Sequence, residues 1–184
     1  TNIVGHSMGG WIASVFALAG MLLSFYVFLA YYLDYRDVGG VQFSRTWGWL
    51  SLPGFWPLGN QGISLTLGVD GISAPMVLLT GIVMFTGVLA SWTIRDRNKD
   101  FFVLYFLLLS GVFGVFVTLD MFFFFFFYEL AVLPMYLLIG VWGSSSTFRT
   151  FIRTKEYGAM KLTLYLVAGS VLIWISIMAI FVEA

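Results

Sequence analysis

Apolar residues fall along this chain in long unbroken blocks, with neither the alternation of a half-buried strand nor the narrow stripe of a surface helix. A helix needs about 20 largely apolar residues to cross about 30 Å of hydrocarbon. Five segments meet that length: 11–33, 72–94, 101–119, 121–142 and 158–182. The pattern predicts an all-α fold, a polytopic membrane protein with one membrane domain over residues 1–184. The long polar stretch is 34–70, rich in Gly, Pro and Trp, and it reads as a loop. Trp47, Trp49 and Trp56 suit a loop folded back on the membrane interface. Asp70 and Ser73, with Pro75 close behind, read as start signals for the second span.

Composition agrees with this pattern. The chain is 60% hydrophobic and 10% charged, with a mean hydropathy of +0.96, too little charge to cover so much apolar surface in water. Formal net charge is zero, which gives no reason to expect a nucleic-acid partner. There is no cysteine, so thiolate metal sites and iron–sulfur ligation are excluded in this sequence. A single histidine, His6, speaks against a multi-histidine metal site. The sequence starts at Thr1 with no basic segment before the first apolar run, and is expected to be part of a longer chain.

Charge also sets an expected orientation. "RDRNK" (95–99) and "FRTFIRTKE" (148–156) each hold three basic residues, whereas the loop 34–70 holds only Arg36 and Arg45. The positive-inside rule puts 95–100 and 143–157 in the cytoplasm and 34–70 with Asp120 outside.

Of the nine basic and nine acidic residues, all but Glu129 and Lys161 lie in loops or at span ends. Glu129 follows six consecutive phenylalanines in "MFFFFFFYELAVLPMYLLIG" (121–140). It lies eight residues into its span, about 12 Å deep, too far in for a glutamate to reach the headgroups. A carboxylate there costs roughly 2.5 kcal/mol or more on insertion scales. One reading is a protonated acid that serves as packing glue. The other is a proton-carrying group, because burial favours the neutral acid while a nearby cation favours the carboxylate. Pro134 removes the helical partner of the Leu130 carbonyl, beside Glu129, and so makes either a kink or a place for water. Lys161 is only three residues into its span and can snorkel to the headgroups. Tyr165 and Gly169 continue a small or polar face expected to pack against protein. More than about 10 Å of depth separates Glu129 from Lys161, which argues against a direct ion pair. Ser110, Gly114 and Thr118 form a stripe expected to be a helix-packing face.

"VGHSMGGWIAS" (4–14) matches the G-x-S-x-G nucleophile elbow around Ser7. That motif needs a sheet before it and a histidine after it, and neither follows from this sequence. Hydrolase chemistry is set aside.

Three stretches, "LGVDGISAPMVLLT" (67–80), "FFFYELAVLPMYLLIGVWG" (125–143) and "EYGAMKLTLYLVAGSVL" (156–172), together resemble the antiporter-like subunit M family of respiratory complex I, also called chain 4. The resemblance covers about residues 65–175, and related sodium/proton antiporters and membrane-bound hydrogenases share the wider pattern. It implies a subunit of a proton-translocating NADH–quinone oxidoreductase that carries no redox centre itself. It also implies that Glu129 is the family's intramembrane glutamate and Lys161 its following-helix lysine. The chain would supply the second to sixth of about fourteen helices in two inverted repeats. No cofactor is expected in this chain; NADH, FMN, iron–sulfur clusters and quinone would belong to partner subunits. Expected partners are the other membrane subunits, including paralogous antiporter-like ones, and the lipid bilayer. The bacterial cytoplasmic membrane is the first expectation for location, with the mitochondrial inner or thylakoid membrane as alternatives.

Overall fold

The computed structural model describes residues 3–34, 40–50, 63–94, 97–147 and 152–183, so Trp56 lies outside the described residues. Within them five helices are long and apolar enough to cross a membrane: α1 (Ile3–Asp34), α2 (Ser73–Ala90, extended by a short 3-10 turn), α3 (Asn98–Val117), α4 (Met121–Trp142) and α5 (Lys155–Glu183). The backbone of His6 and Ser7 is part of continuous α1, so there is no strand-to-helix elbow at that position.

The stretch between α1 and α2 departs from the expected loop. Gln42–Leu50 (β1) and Ile63–Val69 (β2) pair antiparallel into a two-stranded ribbon. "ISLTLGV" alternates apolar and polar residues, the half-buried strand pattern. The ribbon is tied to the bundle where the Leu119 amide donates to the Thr66 carbonyl at 2.9 Å and Trp49 packs its ring on Phe122 and Phe123. Trp47 and Trp49 are both exposed. A second, minimal ribbon joins β3 (Ser146–Thr147) to β4 (Ile152–Arg153) between α4 and α5.

Helix starts are fixed by acids, which satisfy amides that have no partner in the first turn. Asp70 Oδ1 accepts from the Ile72 and Ser73 amides, and the Ser73 hydroxyl accepts from the Asp70 amide at 2.8 Å. The Ser73 amide bond is the main cause that holds the Asp70 carboxyl below its ordinary range. Asp120 does the same for α4, accepting from the Phe122 and Phe123 amides.

Close approach of neighbouring helices needs small residues, because apolar lipid gives no hydrophobic drive between them. On α1, Ala13, Ala17, Gly20 and Ser24 share one face; Ala13 and Ala17 are buried with Met84 and Val88 of α2, and Gly20 lies against the Met84 sulfur. Gly81 of α2 sits so near Ser24 that a side chain would collide. The α3–α4 contact is tighter still. A Cβ on Gly111 would stand 2.9 Å from both the Ala131 amide and the Phe127 carbonyl, and one on Gly114 would overlap the Phe127 ring. The stripe expected through Ser110 is therefore corrected by one position: Ser110 is exposed and bonds the Leu107 carbonyl, while Gly111 carries the contact. Outward faces of all five helices keep large apolar side chains exposed, among them Trp11, Leu33, Leu133 and Leu172. So much contiguous apolar surface fits lipid or a protein partner rather than water.

Gly111→Ala is expected to destabilise the bundle by about 1–3 kcal/mol through overpacking. Ser110→Ala is expected to stay within about 0.5 kcal/mol. Thermal unfolding in detergent checks both, and the opposite order would return the packing face to Ser110.

Candidate functional site

Two contacts define how α4 and α5 lie against each other. The Phe125 ring meets Trp174 with centroids 5.0 Å apart, and the Cβ position of Gly140 is 3.9 Å from Ala159. The helices run antiparallel in one register, each step along α4 matched by a step back along α5. Phe125, Glu129, Tyr136 and Gly140 recur at helical spacing, so Glu129 lies on the α5 side of α4. Phe127, Ala131 and Leu138 lie on the other side, against α3 and the core around Phe101 and Phe102.

Glu129 is half-buried, and its Oε1 is buried with no hydrogen-bond partner among the described residues. A buried acceptor left unpaired costs about 1–3 kcal/mol, more when it is charged. Native folds keep few such groups, and each calls for a reason. Pro134, a turn further on, is fully buried, and α4 continues through it. The missing amide of Pro134 leaves the Leu130 carbonyl without its usual helical donor.

Lys161 is not brought to Glu129. In the α4–α5 register it stands at the level of Leu138, nine residues or roughly 13 Å along α4 from the glutamate. It also points away from α4: Lys161 is exposed, together with Leu164, Tyr165 and Leu172, while Ala159 and Ser170 are buried on the inner side. Its ammonium lies 5.9 Å over the Tyr157 ring. The Tyr165 and Gly169 face expected to pack against protein is open here: Tyr165 is 69% exposed, and a Cβ on Gly169 would meet nothing within 4 Å.

Other polar groups have structural duties. The Lys155 ammonium donates to the Val141 carbonyl at 2.6 Å, which satisfies an orphan acceptor at the end of α4. Sequence reading missed this, although a lysine just past a short connection from a helix end is a recognisable signal. Arg97 pairs with Asp100 at 3.0 Å in an exposed bridge of little energetic weight. Asn98 Oδ1 and Thr118 Oγ1 are also buried without a partner among the described residues. A cleft of about 450 Å³ lies between the start of α4 and the second half of α5. It is mostly apolar and does not include Glu129, and the one carboxylate on its lining, Asp120, already caps α4. Among the described residues no group of three metal-ligating side chains occurs.

Five membrane-length helices among the described residues define an integral multi-pass membrane protein. No family model matches the chain. It is 32% identical over 170 residues to NAD(P)H-quinone oxidoreductase chain 4 3 of Picosynechococcus sp., covering 92% of this chain and 28% of that protein. It is 35% identical over 167 residues to the chloroplastic NAD(P)H-quinone oxidoreductase chain 4 of Chara vulgaris, covering 90% and 30% respectively. A chain 4-2 from Synechocystis sp. is 35% identical over 166 residues, covering 90% and 26%. Over nine-tenths of its length the chain is thus related to chain 4 of the NAD(P)H-quinone oxidoreductases, the kinship expected from its motifs, and it spans less than a third of the length of those relatives.

Proposed function

We propose that this chain is part of a proton-translocating membrane subunit of an NAD(P)H-quinone oxidoreductase, with Glu129 as a group that takes up and releases a proton. The observation that carries the reading is the buried Oε1 of Glu129 on the α5 side of α4, without a partner among the described residues. Intramembrane ionisable residues mark ion pathways far more often than they serve packing. As a carboxylate the group is costly where it sits, and uptake of a proton removes that charge. The names of the related proteins support membership in an oxidoreductase complex.

Electron transfer belongs to partner subunits in this reading. NADH, FMN, iron–sulfur clusters and quinone would bind there, which agrees with the absence of cysteine in the sequence. The other membrane subunits, paralogous antiporter-like ones among them, are the proposed neighbours of the open apolar faces. In this reading Lys161, exposed on α5, serves a separate step and does not pair with Glu129. A subunit of a sodium/proton antiporter or membrane-bound hydrogenase is the second reading; the printed names of the relatives favour the first.

The positive-inside rule orients the bundle with the β1–β2 ribbon and Asp120 outside and the α4–α5 connection in the cytoplasm. The ribbon and Asp120 do share one end of the bundle, through the Leu119–Thr66 bond. A cysteine at Gly48 should then label from outside in intact cells, and one at Ser144 only after the membrane is opened. Labelling of Ser144→Cys from outside would reverse the orientation.

Glu129→Gln tests the function. The amide imitates the protonated acid, so assembly should survive with a change of about 1 kcal/mol or less. Quinone reduction coupled to membrane potential should collapse, because a neutral amide cannot cycle between two protonation states. Glu129→Asp should keep part of the rate, and Lys161→Ala should lose less than Glu129→Gln. Full coupled activity of Glu129→Gln in vesicles holding equal assembled complex would leave the glutamate a packing residue.

A further inference from the structure

The same two contacts that fix the α4–α5 register locate a second polar side chain at the level of Glu129. Phe125 meets Trp174, and four residues along α4 is Glu129, while four residues back along α5 is Ser170. From the other end, Gly140 meets Ala159, and eleven steps in each direction bring the same two residues together. Ser170 is 3% exposed, so bulk water is not its partner, and it is one of the few buried polar side chains of the bundle. Its hydroxyl donates to the Val167 carbonyl at 2.9 Å within its own helix. That bond uses the single proton of the hydroxyl and leaves its acceptor lone pairs free.

We propose that Ser170 is the positioning residue of the Glu129 carboxyl, accepting from the protonated acid and donating to the carboxylate. The inference rests on the proton-carrying reading of Glu129 and adds the group that makes both of its states tolerable. In the arrangement seen here the hydroxyl donates to the Val167 carbonyl, and Ser170 has acceptor lone pairs to offer a protonated acid. When the proton leaves, the hydroxyl turns away from the Val167 carbonyl and donates to Oε1, directly or through one buried water. No covalent bond changes in Ser170; only its donor direction does. Oε1 has no bond to Ser170 in the present arrangement; the register sets the two at one level, and in this proposal their bond forms on rotation. The other α5 hydroxyls are misplaced for this work: Thr163 lies two turns away and bonds Ala159, Ser176 is exposed and bonds Leu172, and Tyr157 and Tyr165 are exposed.

The test uses assembled complex in vesicles, with coupled quinone reduction as the readout. Ser170→Ala should assemble normally and lose about fivefold in coupled turnover, the worth of roughly one hydrogen bond to a buried group. Ser170→Thr, which keeps the hydroxyl, should recover most of the rate. In a Glu129→Asp background, where the carboxyl is withdrawn by one methylene, Ser170→Ala should cost less than about twofold, because the shortened acid no longer meets the hydroxyl. A merely structural serine would cost the same in both backgrounds. Should Ser170→Ala fail to assemble, Ser170→Gly, which also removes the hydroxyl, takes its place. A wild-type rate for the assembled alanine or glycine variant, or a full fivefold loss in the aspartate background, would overturn the role of Ser170 while leaving Glu129 untouched. Full activity of Glu129→Gln would instead end the proton-carrying reading, and this inference with it.

Discussion

A carboxyl group held inside an apolar bundle has to be reconciled with its surroundings by packing, by a proton or by a partner. Here packing does part of that work. The close α3–α4 contact at Gly111 and Gly114 fixes one side of α4, and Trp174 and Ala159 of α5 fix the other. Between them Glu129 has one oxygen sealed from solvent with no donor in reach among the described residues. Held on both sides by these contacts, α4 has little freedom to rotate the glutamate away. The bundle therefore holds the carboxyl in place.

Much of this was legible in the sequence, and for definite reasons. Five apolar blocks predict five helices because a span has to be long and uncharged, and that signal survives any detail of packing. The Asp70 start signal was readable because capping depends on local chemistry alone, and the Asp120 cap, which was not read, carried a signal of the same kind. The packing face of α3 was missed by one residue. A strict four-residue stripe through Ser110, Gly114 and Thr118 drifts around a helix of 3.6 residues per turn, whereas Gly111 and Gly114 stay on the side that faces Phe127. The small-residue face of α1 through Ala13, Ala17, Gly20 and Ser24 carried the same kind of signal.

Other features depended on long-range placement. The alternation in "ISLTLGV" was overshadowed by the Gly, Pro and Trp content around it, and its partner strand lies across a gap in the described chain. Lys161 was correctly judged too far from Glu129 for a direct pair, but its outward direction needed the burial of Ala159 and Ser170 to become visible. The importance of Ser170 was invisible to composition, since a lone serine in an apolar helix usually bonds its own backbone. Only the α4–α5 register sets it beside the glutamate.

The central claim is that the Glu129 carboxyl changes protonation state during turnover. Infrared difference spectroscopy of the assembled complex, resting against turning over, reads that directly. The account predicts a carboxylic-acid carbonyl band that changes intensity with turnover in the unmodified complex and is missing from the difference spectrum of Glu129→Gln. Identical difference spectra for the two, with no carbonyl band lost on substitution, would contradict it.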